Sequence, residues 1–268
     1  MAETMFDQTT ILHAVHTKWA GKTVHFLKET DSTNTWAKAL AREGAPHGTL
    51  AVTEFQSAGR GRFDRRWTAP EGSSVMMSLV LRPGFSPLYA SMLTLVMGLS
   101  VAQAAEKLGF FPAIKWPNDI VLSRKKICGI LTEMSADVDK IHFVVVGVGI
   151  NVNTESFPEE VADKATSFYA ESGKKYDRNQ VVAAVMEAFE KNYERFEKTC
   201  DLTELEDEYE RLLANLNQPV RVLDSRAPYE GICRGISKTG ELLVETEDGD
   251  VKEVGAGEVS VRGLYSYV

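Results

Sequence analysis

The strongest constraint on the fold is an apolar run at residues 141–152, Ile-His-Phe-Val-Val-Val-Gly-Val-Gly-Ile-Asn-Val, which is rich in valine. Valine favours strands, and a strand without regular apolar and polar alternation is typical of the centre of a sheet or of burial on both faces. If residues 141–146 instead form a sheet edge, they can pair with a second subunit, so a homodimer stays open. In either case the chain must build a sheet around this segment.

Hydrophobic patterning elsewhere predicts an α+β chain in two parts. The polar section 154–176 reads as a flap, and from residue 218 onward short β-like runs predict a small barrel. The boundary is expected near Asn217, which gives a main domain at 1–216 and a barrel at 217–268. The predicted strands are 24–27, 49–55, 74–81, 113–122, 127–134, 141–152, 220–223, 227–236, 242–247, 250–255 and 259–262, and the predicted helices lie within 1–19 and at 35–43, 88–108, 179–199 and 202–216.

Composition excludes several classes of protein. A formal net charge of −8 over 268 residues argues against broad nucleic-acid binding, which needs an extended basic face. The three cysteines are widely spaced and offer neither a disulfide framework nor a CxxC metal pair. No signal peptide is evident at the N-terminus, and apolar runs such as 92–105 fall short of the roughly 18 to 20 residues that span a bilayer. A cytoplasmic protein without nucleic-acid or membrane partners is expected.

Residues 59–67, Gly-Arg-Gly-Arg-Phe-Asp-Arg-Arg-Trp, hold four arginines in an acidic chain, and we call them the arginine loop. Glycine lets backbone approach a ligand closely, so that consecutive N–H groups can cradle an anion. Arginine adds a planar fork of donors that suits carboxylate or phosphate oxygens. A solvated surface loop is the alternative, and the run alone does not separate the two.

Three further stretches carry polar side chains or glycines where a ligand could bind. Residues 115–120, Lys-Trp-Pro-Asn-Asp-Ile, interrupt a β-like run with proline and precede Lys126, although a tight turn has the same composition. Residues 147–153, Gly-Val-Gly-Ile-Asn-Val-Asn, allow close approach and an adenine contact through Asn151, although sheet packing explains the glycines equally well. Residues 31–34, Asp-Ser-Thr-Asn, read as a helix N-cap.

Together and in this order, these stretches resemble the biotin protein ligases. The arginine loop is similar to the GRGRxxRxW adenylate-binding loop of that family, and residues 115–119 are similar to its KWPND segment. Residues 31–34, Gln56, 126–133 and 147–151 fall in the order and spacing of the family, and the C-terminal stretches 231–236 and 257–262 resemble its barrel. The resemblance spans about residues 26 to 262. It implies a mixed β-sheet flanked by helices, as in class II aminoacyl-tRNA synthetases, with a small C-terminal SH3-like barrel.

The activity that the resemblance implies has two steps. Biotin and ATP form biotinyl-5′-AMP and pyrophosphate, and a lysine of a biotin carboxyl carrier protein then takes the biotinyl group and releases AMP. Mg²⁺ is expected on the triphosphate, held largely by phosphate oxygens and water. Because only about 25 residues precede the first matched strand, the short class without an N-terminal DNA-binding domain is expected. The alternatives are a lipoate-protein ligase and a non-catalytic sensor of biotin or adenylate.

The resemblance also assigns residues. Arg62, Lys126 and Asp119 are the catalytic candidates, with Asp119 left open between orienting the acceptor lysine, accepting its proton and a purely structural bond. Arg65 is left open between a phosphate contact and an ion pair with Asp64, Glu54 or Glu71. The biotin site is expected at Ser32, Thr33, Gln56, Gly59, Arg60, Trp67, Gly129 and Leu131. The ATP or adenylate site is expected at Arg62, Arg65, Asn118, Lys126, Ile150, Asn151 and Arg262.

Overall fold

A computed structural model of the chain describes residues 5–223, 228–256 and 260–263. The main body contains one seven-stranded mixed sheet. Its strands are β1 (Thr23–Thr30), β2 (Thr49–Gln56), β3 (Ser74–Leu81), β4 (Ala113–Lys115), β5 (Asp119–Leu122), β6 (Lys125–Ala136) and β7 (Ile141–Asn151). They lie in the order β1-β2-β3-β7-β6-β5-β4, with β1 and β2 parallel and every other pair antiparallel.

The valine-rich run forms β7, which lies between β3 and β6. Residues 144–151 pair with β3 on one side, and the strand pairs with β6 from residue 141 to residue 150 on the other. The central position is therefore confirmed. The alternative, in which residues 141–146 pair with another subunit at a sheet edge, is wrong, because that ladder is already used within the chain.

Helices cover both faces of the sheet. They are α1 (Gln8–Ala14), α2 (Thr33–Arg42), α3 (Leu93–Lys107), α4 (Phe168–Ser172), α5 (Arg178–Thr199) and α6 (Glu206–Leu212). On one face, α2 packs against apolar side chains of the sheet such as Ala51, Val80 and Val145. Apolar side chains of α3 and α5 join the larger core cluster on the other face. The lack of alternation in β7 follows from this two-sided cover.

The helical stretch Pro87–Lys107 has the length and apolar composition of a membrane-crossing helix. It comprises a 3-10 turn, Pro87–Met92, followed by α3, so it is longer than the apolar run that the sequence indicated. However, 72% of the most apolar 18-residue stretch of this helix is buried inside the fold. We therefore assign it as the core helix of the main body.

Three local predictions for the main body differ from the structure. The strand predicted at 113–122 is two strands, β4 and β5, because the turn around Pro117, which follows a cis peptide bond, reverses the chain. The helix predicted at 202–216 is reduced to α6. Ser32 is the N-cap of α2 but makes no side-chain capping bond, since the polar residues that follow it are bonded across the sheet instead.

The C-terminal strands form a second, antiparallel sheet. They are β8 (Pro219–Leu223), β9 (Tyr229–Ile236), β10 (Leu242–Glu245), β11 (Val251–Val254) and β12 (Ser260–Gly263), in the order β11-β10-β9-β8-β12. Across the ranges that the structure covers, β11 and β12 are its two edges, so this SH3-like unit is an open sheet there and not the closed barrel expected. The indole Nε1 of Trp116 donates to the backbone oxygen of Gly240 at 3.0 Å, which ties the second sheet to the main body.

Glu190 on α5 anchors the chain between α1 and β1. Its buried carboxylate accepts the backbone N–H groups of Lys18, Trp19 and Ala20 at 2.7 to 3.0 Å. Burial acts to raise the pKa of this carboxyl, but the three N–H donors outweigh it and the pKa lies below its usual value. Ionised Glu190 therefore stabilises the folded chain.

We expect Glu190→Gln to lower the free energy of unfolding by about 2 to 3 kcal/mol at neutral pH, because a buried charged acceptor is lost. A depressed folded-state pKa gives stability that is present above the unfolded-state value, about 4.5, and lost as the pH falls through the folded-state pKa. The difference between the two proteins should therefore shrink below that pH in urea titrations. Glu194→Gln is the control, since its 3.5 Å pair with Lys18 is exposed. An equal loss in both variants would contradict the assignment.

Candidate active site

The arginine loop folds back on itself as a short hairpin. The N–H of Trp67 donates to Gly59 O at 3.0 Å, and the N–H of Gly61 donates to Arg65 O at 2.7 Å. A Cβ atom on Gly59 would lie 2.3 Å from Trp67 O, so only glycine permits this approach. The hairpin presents its tryptophan to the sheet and its arginines around the tip.

The Trp67 indole lies on the two glycines of the neighbouring strands β6 and β7. A Cβ on Gly149 would lie 2.4 Å from Trp67 Cε2, and a Cβ on Gly129 would lie 3.2 Å from Trp67 Cζ3. The buried Nε1 of this indole has no hydrogen-bond partner among the described residues. These glycines therefore serve close packing of an aromatic ring, which the sequence did not distinguish from plain sheet packing.

A first cavity of about 150 Å³ opens between the loop and the sheet. It brings together most of the residues that the resemblance assigns to biotin, while Gly59 lies behind the lining. Lys115 and Gly147 are among the lining residues without an assigned role, and Lys115 is only 7% exposed. The predicted biotin residues in its lining are Ser32, Thr33, Gln56, Arg60, Trp67, Gly129 and Leu131.

One end of this cavity is polar and neutral. Gln56 Oε1 accepts from the backbone N–H of Thr33 at 2.7 Å and from its hydroxyl at 3.1 Å. The hydroxyl of Ser78 lies 2.8 Å from Thr33 Oγ1 and 2.6 Å from Asn34 Oδ1. Ser32 is 2% exposed. Hydroxyls and amides at this end suit a small neutral group with both donors and acceptors.

The other end carries the charges. Lys126 Nζ donates to Asp119 Oδ1 at 2.5 Å, and Arg62 Nη1 donates to Asn118 Oδ1 at 3.0 Å. Arg62 Nη2 also donates to the backbone oxygen of Ala256, beyond β11. Burial lowers the pKa of Arg62 from its usual value, and the nearby Asp119 carboxylate acts in the opposite direction. Two cations beside one carboxylate leave this end with a net positive charge that suits an anionic ligand.

A second cavity, of about 380 Å³, adjoins the first. Asn151 lies in its lining with Thr154 and Phe157, whereas Ile150 is fully buried in the core on the opposite face of β7. A contact of Ile150 with a nucleotide would therefore come from its backbone. Asn151 Nδ2 donates to Thr166 O at 3.1 Å. Three residues, Arg66, Trp67 and Lys126, line both cavities and so mark where they meet.

The polar segment 154–176 holds the backbone of Lys126. The N–H of Lys126 donates to Lys164 O at 2.7 Å, and the N–H of Thr166 donates to Lys126 O at 2.9 Å. Val161 and Ala165 of the same segment line the second cavity. The segment that forms part of the wall of that cavity therefore also fixes the backbone of Lys126. Local sequence patterns do not reveal this contact, because 38 residues separate Lys126 from Lys164.

The remaining assigned arginines lie in different surroundings. Arg60 directs its guanidinium to Glu133 at 3.1 Å, outward from the loop. Arg65 is exposed, lines the first cavity and forms no ion pair within the described ranges, while Glu54 pairs instead with Arg178 at 2.5 Å. Arg262 belongs to β12, but its side chain lies outside the described part of the structure.

Two family profiles match this fold and this site. Residues 26–151 match the biotin/lipoate A/B protein ligase family, and residues 216–262 match the biotin protein ligase C-terminal domain. The first match defines the class as ligases for biotin or lipoate. The second is specific to the biotin members.

Individual relatives agree. The bifunctional ligase/repressor BirA of Bacillus spizizenii is 36% identical over 95% of this chain and 79% of its own length. The biotin–[acetyl-CoA-carboxylase] ligase of Mycobacterium tuberculosis is 32% identical over 87% of this chain and 86% of its own. The solved biotin protein ligase from Aquifex aeolicus in complex with biotin and ATP is 35% identical, with a TM-score of 0.79, over 90% of this chain and 99% of that one. This chain belongs to the biotin protein ligase family.

Proposed function

We propose that this protein is an ATP-dependent biotin–protein ligase. It joins biotin to AMP, releases pyrophosphate, and then transfers the biotinyl group to a lysine of a biotin carboxyl carrier protein. The observation that carries the proposal is the meeting of two cavities at Lys126 and Trp67, one with a neutral polar end and one lined by Asn151. A carboxylate in the first cavity and an α-phosphate in the second would face each other at this junction.

The chemistry of the first step explains the charges at the junction. Biotin's carboxylate and the triphosphate are both anionic, so the enzyme must align them and neutralise their charge. Lys126 stands between the cavities and Arg62 stands in the first, so we assign both to the reacting phosphate and carboxylate oxygens. Ser32, Thr33 and Gln56 take the ureido head, and Trp67 covers the apolar chain. Asn151 and the backbone of Ile150 contact adenine.

Asp119 has a defined place in this scheme. Because its carboxylate lies 2.5 Å from Lys126 Nζ, we assign it to hold that ammonium in position. In the second step, the neutral amine of the acceptor lysine attacks the acyl carbonyl, the bond from the acyl carbon to the phosphate oxygen breaks, AMP leaves with the electron pair, and the proton that the amine loses passes to solvent. Arg62 and Lys126 offset the charge of the departing phosphate.

Four further assignments complete the proposal. Mg²⁺ enters with the ATP phosphates, a role that needs no cage of protein carboxylates. The chain divides into a catalytic domain at 1–216 and a C-terminal domain at 217–268, and Arg262 and Arg65 are assigned to the nucleotide site. The protein works in the cytoplasm. A homodimer would use a surface other than β7, which is central in the sheet.

The nearest alternative is a lipoate-protein ligase, because the family profile covers both acids. The hydroxyls and amides at the end of the first cavity favour a urea over a dithiolane ring, which has no N–H or C=O groups. A non-catalytic sensor is the other alternative, but it has no need of both Arg62 and Lys126.

The test is exchange of labelled pyrophosphate into ATP, with biotin or lipoate as the only acid. We expect exchange with biotin and at least about tenfold less with lipoate, since buried polar groups without partners each cost about 1 to 3 kcal/mol. Exchange that prefers lipoate would overturn the biotin assignment. Biotin binding without any exchange would instead support the sensor.

A further inference from the structure

Glu133 on β6 lies beside the first cavity and outside its lining. Its carboxylate accepts from three side chains of two elements: Lys38 Nζ at 2.7 Å, Asn34 Nδ2 at 2.9 Å and Arg60 Nη1 at 3.1 Å. Lys38 and Asn34 belong to α2, and Arg60 belongs to the arginine loop. None of the roles assigned above uses this carboxylate.

The contact with Asn34 fixes the direction of a buried chain of hydrogen bonds. Asn34 Nδ2 donates to Glu133 Oε2 and to Leu131 O at 3.1 Å, and both of these oxygens can only accept. The amide oxygen of Asn34 must therefore face Ser78. Because Oδ1 cannot donate, the single hydroxyl hydrogen of Ser78 goes to it, over 2.6 Å.

The orientation passes from Ser78 to Thr33 in the cavity wall. Because the Ser78 hydroxyl donates its hydrogen to Asn34 Oδ1, it cannot donate to Thr33 as well. The hydroxyl hydrogen of Thr33 therefore goes to Ser78 Oγ at 2.8 Å or to Gln56 Oε1 at 3.1 Å. In both arrangements the hydrogen stays within the protein. Thr33 therefore offers lone pairs to a ligand and accepts an N–H. A ring oxygen at that place would meet another acceptor.

The contact with Arg60 connects the same carboxylate to the loop that carries Trp67. Burial acts to raise the pKa of Glu133, but hydrogen bonds from Lys38 and Asn34 outweigh it and the pKa is lowered, so the group is ionised at neutral pH. Its side chain is 22% exposed and that of Arg60 is 46% exposed, so the pair is partly screened by solvent. One charged group thus touches both the wall and the cover of the cavity.

We propose that Glu133 is a positioning and specificity-determining residue of the biotin site, which orients Thr33 as an acceptor for a ring N–H and tethers the arginine loop through Arg60. The ligand part of this proposal rests on the proposed function, whereas the tether does not. The chemical class selected is a cyclic urea, as opposed to a cyclic carbamate with oxygen in place of one ring N–H.

The test compares the parent with Glu133→Gln, which keeps the shape of the side chain. Glutamine has one acceptor oxygen, and two cations compete for it more strongly than the neutral Asn34 amide does. The control is Glu187→Gln, which removes a carboxylate 2.7 Å from Lys107 Nζ, between α5 and α3. Glu133→Met, which removes every acceptor, is the second variant.

Binding of biotin and of the two carbamate analogues is measured by calorimetry. In the parent and in Glu187→Gln we expect biotin to bind at least about tenfold more tightly than one of the analogues, the equivalent of about 1.4 kcal/mol. In Glu133→Gln the cations take the glutamine oxygen and its N–H groups face Asn34, which favours the opposite orientation of the Asn34 amide, so biotin should weaken and this preference should fall toward one. A preference that matches the parent in folded Glu133→Gln overturns the orienting role, because general destabilisation would weaken all three ligands alike.

The tether is tested without ligand, by tryptic cleavage after the arginines of the loop. Folded Glu133→Met, which leaves Arg60 without this acceptor, should be cut several-fold faster there than the parent and Glu187→Gln. Equal rates overturn the tether. If the parent binds no biotin, the proposed function fails, and the proteolysis result still decides whether Glu133 holds the loop.

Discussion

Lys126→Ala should lower biotin-dependent pyrophosphate exchange by about a hundredfold to a thousandfold, the usual effect of removing one preorganised group that stabilises developing charge. Of the two assigned cations, Arg62 and Lys126, only Lys126 lines both cavities. Its ammonium is therefore placed to neutralise the carboxylate and the phosphate together. Its loss also leaves Asp119 without the 2.5 Å partner, which adds a repelling charge to the site. Initial exchange rates at saturating biotin and ATP measure the effect.

Lys125→Ala is the matched control, because it makes the same chemical change one residue earlier on β6. The ammonium of Lys125 donates to Ala162 O at 3.2 Å in an exposed position and lines neither cavity. We expect exchange within about twofold of the parent, as for most exposed substitutions. Full exchange in Lys126→Ala would remove Lys126 from the mechanism.

Gly147→Ala should weaken biotin binding at least about tenfold and lower the free energy of unfolding by about 2 to 4 kcal/mol, through overpacking and a lost buried hydrogen bond. The added Cβ would lie 2.0 Å from Asn34 Oδ1. Asn34 cannot move aside cheaply, because Leu131, Glu133 and Ser78 hold it. Urea titration and biotin calorimetry measure the two effects.

Gly98→Ala provides the comparison for this substitution. Gly98 is buried in α3, but the nearest atom to its added Cβ is 3.8 Å away, an ordinary contact. Alanine in a helix is favoured over glycine by roughly 0.5 to 1 kcal/mol, so this variant should be slightly more stable than the parent. If Gly147→Ala behaves in the same way, the buried network does not constrain that strand.

Regular patterns explain which parts of the fold the sequence predicts well. The valine run of β7 and the small apolar residues of α3 predict buried elements, and β7 lies at the centre of the sheet while α3 packs in the core on one of its faces. Elements whose ends depend on distant partners are predicted less well. The length of α6 and the turn between β4 and β5 are set by contacts with the C-terminal sheet, such as the bond from Trp116 to Gly240.

The site divides in a similar way. Glycines and arginines in the loop have a local signature, so the loop is recognisable from sequence. Ser32, Thr33 and Asn34 carry the residue types of an N-cap, and only the fold reveals that Thr33 and Asn34 bond across the sheet. Glu133 and Ser78 have no signature of their own, because their partner Asn34 lies 99 and 44 positions away.

Arg62 donates hydrogen bonds to two parts of the chain, and this affects which fragments of the protein can keep the site intact. One nitrogen of its guanidinium donates to Asn118 in the main body, and the other donates to the oxygen of Ala256 in the C-terminal unit. One of the two hydrogen bonds that orient the Arg62 guanidinium therefore comes from the C-terminal unit. A fragment that ends at residue 216 would keep the side chains of Arg62, Lys126 and Asp119. It would lack Ala256, whose backbone oxygen helps to orient Arg62.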